Sequence, residues 1–95
     1  MNEIEKGSGI YKLSKNEFYK LKDKAILVQN NNSPNRILTY HIIPGKERNS
    51  LLEYSLSLEV HSEPSYLVYK NVSEKKIEEI TGIPFEDFEG VDPYD

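Results

Sequence analysis

His41 and His61 are the only side chains whose ordinary pKa lies near neutrality, and the chain has no Cys. General acid–base or metal chemistry would have to be built around these two imidazoles. Glu59 and Glu63 flank His61 at two residues on either side, and alternate residues of a strand share a face. Glu59, His61 and Glu63 therefore have the form of a carboxylate–imidazole cluster. With His41 on the same side, a Zn²⁺ site is conceivable. No recognised ligand spacing accompanies it, and the same residues read more simply as the solvated side of a strand. A hydrolase pairing a serine with either histidine has no better support. Gly7-Ser8-Gly9 is a lone Gly-x-Gly with no preceding strand and no third glycine, so it makes no phosphate loop. The expectation is a chain that is not an enzyme and needs no metal or cofactor.

Charge is the stronger signal. The net charge is −4, yet residues 1–73 hold ten bases against eight acids, and residues 74–95 hold two bases against eight acids. Near the start, Tyr11, Lys12, Lys15, Tyr19, Lys20, Lys22 and Lys24 interleave rings with cations. Lys15, Tyr19, Lys20 and Lys22 make a candidate nucleic-acid patch of stacking ring and phosphate-binding amines. An acidic whole and only two Arg argue against that use. Near the end, Pro84-Phe85-Glu86-Asp87-Phe88-Glu89-Gly90-Val91-Asp92-Pro93-Tyr94-Asp95 holds five acids, three aromatics and no base. Glu78, Glu79, Glu86, Asp87, Glu89 and Asp92, with Tyr94 as a possible anchor, form the candidate surface for a basic protein partner. Phe85 and Phe88 are expected to pack on the domain's own core. The stretch EKKIEEITGIPFEDFEGV resembles a helix-turn-helix in its glycine turn and apolar spacing. Glu78 falls where that motif needs a small residue, Gly90 interrupts the second helix, and its acids would face phosphates.

These residues need elements to position them. Ser14 with Glu17 has the form of a capping box, and Leu13 and Phe18 stand at the staple positions, which predicts a helix over about 15–23. AILVQ (25–29) reads as a strand, and NNNSPN as a turn. RILTYHII (36–43) is apolar on both faces and so reads as central. In SLLEYSLSLEVH (50–61), Leu52, Tyr54, Leu56, Leu58 and Val60 alternate with polar residues, which predicts a strand with one face in water. SYLVYKNV (65–72) is a fourth strand; as a sheet edge it would pair with a second copy. Ser73 caps a second helix, which Gly82 and Pro84 end.

Ninety-five residues allow one domain and one core. Apolar residues make up 37% of the chain and aromatics 11%, enough to exclude a disordered polymer. No apolar run suits a secretory signal or a membrane span. The expected fold is α+β: one small domain with a four-stranded antiparallel sheet and two short helices in the order α-β-β-β-β-α. The helices would lie on one face, and an acidic C-terminal tail would follow. Residues 1–9 are expected to be flexible, residues 10–89 the domain, and residues 90–95 a flexible tail. The expected function is a cytoplasmic, non-enzymatic interaction or regulatory module, acting as monomer or homodimer. An inhibitor of the kind carried by phages or mobile elements would fit, and nucleic-acid binding through the lysines is the alternative.

Overall fold

Ser14 and Ser73 set the two helices. In the computed structural model, which describes residues 9–59 and 62–91, the Ser14 hydroxyl accepts the Glu17 N–H at 3.2 Å. The Glu17 carboxylate in turn accepts the Ser14 N–H at 2.8 Å. This reciprocal box starts α1 (Lys15–Lys22). The Ser73 hydroxyl accepts the Lys76 N–H at 3.1 Å and starts α2 (Glu74–Thr81). Gly82 ends α2 in the left-handed region at φ 72°, where its N–H donates to the Glu78 carbonyl at 2.8 Å.

The strands are β1 (Gly9–Lys12), β2 (Leu27–Asn30), β3 (Arg36–Ile43), β4 (Asn49–Ser57), β5 (Ser65–Val72) and β6 (Glu89–Gly90). They form one antiparallel sheet in the order β1-β5-β4-β3-β2-β6. The expected four-strand sheet is corrected to six by the two short edge strands. β1 contains a glycine and β6 has only two residues, so neither shows the alternation that identifies a strand. Both reach into segments expected to be flexible: Gly9 pairs with Lys70, and Gly90 with Leu27. β5 is an interior strand and not an edge, because β1 covers it. β4 ends at Ser57, short of the expected 61, and Leu58 is 54% exposed.

The helices cover opposite faces of the sheet, where one shared face was expected. Successive residues of a strand point to opposite sides. Ile42 and Ile43 are both buried, as are Leu51 and Leu52. Ile42 and Leu51 pack with Tyr40, with Ile77 of α2 and with Phe88. Ile43 and Leu52 pack with Val68 and with Phe18 of α1. A single-faced layer would leave one set in water, at about 1.5–3 kcal/mol per large side chain. On the α1 face the rings cluster: Phe18 lies 4.8 Å from Tyr66 and 6.2 Å from Tyr54, ring centre to ring centre. Between β4 and β5 the register shifts, and Asn71 takes a left-handed φ of 55° while its N–H reaches the Ser50 hydroxyl. Among the described residues no helix is long and apolar enough to cross a membrane.

Candidate functional site

The C-terminal acidic segment is held by its aromatics. After α2, Pro84 begins a single 3₁₀ turn, Phe85–Asp87. Phe88 is buried against Tyr40, Ile42, Leu51 and Ile77, and Phe85 packs on the same cluster. Their ring centres lie 6.1 Å apart. Both phenylalanines therefore complete the α2 face of the domain, as the sequence predicts.

Hydrogen bonds fix the backbone between these anchors. The Gln29 side-chain amide donates to the Asp87 carbonyl at 2.8 Å. The Glu78 carboxylate accepts the Phe85 N–H at 2.6 Å. Glu89 and Gly90 pair with Val28 and Leu27, and the Val91 N–H donates to the Ile26 carbonyl at 3.1 Å. Thr81 supports the approach: its hydroxyl donates to the Ile77 carbonyl at 2.8 Å and accepts the Ile83 N–H at 3.1 Å. The carboxylates of Glu86, Asp87 and Glu89 stand exposed on this fixed framework.

The structure thus sorts the seven proposed partner-binding residues. Glu86 and Asp87 stand on the 3₁₀ turn, and Glu89 follows in β6 opposite Val28, on the side of the sheet that His41 shares. Glu78 joins them through its bond to Phe85, though that bond gives its carboxylate a structural task. Glu79 faces Lys76 at 3.9 Å, the one ion pair formed among the described residues. Asp92 and Tyr94 lie outside the described residues.

The lysine patch is also ordered. Lys15, Tyr19 and Lys22 recur at helical spacing along one side of α1, with Lys20 on the adjoining side. Tyr19 is 45% exposed, and the Lys22 amine sits 5.5 Å from its ring centre.

His41 belongs to the core. It is 6% exposed on the α1 face, with its ring centre 6.5 Å from that of Phe18 in an edge-on arrangement. Burial, assisted by the Lys22 charge, lowers its pKa to about 4. The ring is therefore neutral at pH 7, and its buried Nδ1 has no hydrogen-bond partner. Among the described residues no group of three candidate ligands could hold a metal ion. His61 lies outside the described residues, and Glu59 and Glu63 are exposed.

On the opposite face, Glu53 is half-buried across from Tyr40 and accepts a long hydrogen bond from the Tyr69 hydroxyl at 3.4 Å. Burial raises the Glu53 carboxyl above the usual carboxylate range, against the Tyr69 hydrogen bond and the Arg36 charge. Burial and the Glu53 charge raise both Tyr40 and Tyr69. Tyr69 also lines a groove of about 480 Å³ bounded by Ile10, Arg48, Lys70, Lys76 and Ile80. Sequence reading misses this groove, because its walls come from β1, the β3–β4 turn, β5 and α2.

Comparison with protein-family models, with curated proteins and with solved structures finds no match.

Proposed function

We propose that the chain is a small, non-enzymatic interaction module that binds a basic protein partner through the acidic surface of Glu86, Asp87 and Glu89, flanked by Glu78 and Glu79. A cytoplasmic inhibitor of the kind carried by phages or mobile elements is the role this reading favours. The supporting observation is the docking of Phe88 and Phe85 on the core, which fixes the backbone that carries Glu86 and Asp87 between them before any partner arrives. Pre-ordering of this kind lowers the entropy cost of association. Exposed carboxylates speed encounter with a cationic surface and reject anionic ones.

The test compares the wild type with the variant Glu86→Gln/Asp87→Asn/Glu89→Gln as immobilised baits in a bacterial lysate. The reading expects a basic protein retained by the wild type, released by salt and absent from the variant. Equal retention by both baits would refute it. The exposed Lys15–Tyr19–Lys22 side of α1 supports a second reading as a single-stranded nucleic-acid binder. Its test is salt-dependent binding of an oligonucleotide that Tyr19→Ala and Lys22→Glu abolish.

A further inference from the structure

We propose that the groove beside β1 is a second docking site, one that takes an extended acidic peptide as an added strand on the β1 edge. Its free edge stands at the opposite end of the sheet from β6, and it meets the flank of the acidic surface at the Lys76–Glu79 pair.

Three independent features converge there. β1 is the terminal strand of the sheet, so among the described residues one side of its backbone has β5 as partner and the other has no strand. An edge of this kind is a template for strand addition. Next, the groove floor is apolar: Tyr69, Val72 and Ile80 line it, and Ile10 of β1 enters it while remaining 63% exposed. At about 480 Å³ it has room for large side chains, within the range of ordinary ligand pockets. Finally, its rim is cationic. Arg48, Lys70 and Lys76 surround it, and among the described residues the ion pair in this set is that of Lys76 with the exposed Glu79.

These features select the occupant. The cations favour carboxylates over amines, and the apolar floor favours a large aliphatic or aromatic side chain between them. The edge favours an extended backbone over a helix. Alternate side chains of an added strand lie on the groove face beside Ile10 and Lys12, which share the side of Tyr69 and Leu67. A segment alternating acidic and apolar residues satisfies all three at once. So small an interface implies weak, transient binding, with Kd on the order of 10–100 μM.

The probe is a fluorescein-labelled peptide, acetyl-Glu-Ile-Glu-Phe-Glu-Ile-amide, titrated with the full chain and followed by anisotropy. We expect saturable binding that slows amide exchange across Gly9–Lys12. Arg48→Glu/Lys70→Glu should weaken it at least tenfold, and Lys in place of each peptide Glu should abolish it. N-methylation of alternate peptide bonds should also cost at least tenfold, and this change leaves the protein untouched. Equal binding of the N-methylated peptide would mean a side-chain pocket and would overturn strand addition. Equal binding of the lysine peptide, or no binding at millimolar protein, would overturn the site altogether.

Discussion

Truncating Phe88 to Ala separates the anchor of the acidic segment from its charged surface. The ring is 7% exposed and packs among Tyr40, Ile42, Leu51 and Ile77. Phe-to-Ala changes in cores cost about 3–5 kcal/mol, the sum of lost transfer energy and a cavity. Phe85, its ring centre 6.1 Å away, can partly fill the space, so the lower figure of about 3 kcal/mol applies. A domain of 95 residues has roughly 5–14 kcal/mol in total. The loss would therefore lower Tm by roughly 12–24 °C. In contrast, Glu86→Gln/Asp87→Asn/Glu89→Gln should change stability by less than about 1.5 kcal/mol, since each side chain is exposed. The Asp87 group that Gln29 holds is the backbone carbonyl, which the substitution keeps. Urea unfolding of the three proteins, with the slope m compared, measures both effects. A Phe88→Ala cost under 1 kcal/mol would show that the segment is not anchored. A triple-variant cost equal to that of Phe88→Ala would show that the carboxylates hold the fold rather than face a partner.

Four further outcomes are expected. The folded His41 pKa of about 4 lies below the unfolded value of 6.5, so the stability due to neutral His41 is complete above pH 6.5 and is lost as pH falls toward 4. Urea midpoints should register a loss on the order of 2 kcal/mol between pH 7 and pH 5, and His41→Leu should remove most of that slope. Glu53 has the opposite sign: its raised carboxyl disfavours the fold as pH rises through its folded pKa, so Glu53→Gln should gain relative to the wild type at pH 7 compared with pH 4. Ser14→Ala removes one half of the capping box and should cost about 1 kcal/mol by thermal melting. Gly82→Ala meets no atom within 4 Å but must hold φ 72°, so calorimetry should show a loss of about 1–2 kcal/mol from backbone strain alone.

Local signals in the chain were legible where one segment carried the whole message. SYLVYKNV became β5 with the bounds read from its composition, and both serine caps formed. RILTYHII, apolar on both sides, lies inside the sheet. What stayed hidden depends on partners distant in the chain. β1 and β6 are strands because β5 and β2 offer them hydrogen bonds, not because their few residues favour extension. The apolar stripe of a helix tells that one side is buried but not against which face of a sheet. The adjacent pairs Ile42–Ile43 and Leu51–Leu52 carried that information, since no one-sided strand buries two neighbours. In the candidate site, the acids and the Phe anchors were readable from twelve residues. The part played by Gln29 was not, because it arrives from a loop-flanking strand far upstream. The groove was likewise invisible, its cations being scattered over three segments.

If Glu86, Asp87 and Glu89 serve the function proposed above, a cationic partner docks on them. Amide NMR of the ¹⁵N-labelled chain, titrated with an Arg/Lys-rich helical peptide, reads that docking residue by residue. Shift changes are expected to concentrate at residues 85–91 and on their neighbours Gln29 and Glu78, to be lost in the triple neutral variant and to be suppressed by salt. Shifts scattered evenly over the exposed acids, or unchanged in the variant, would contradict it.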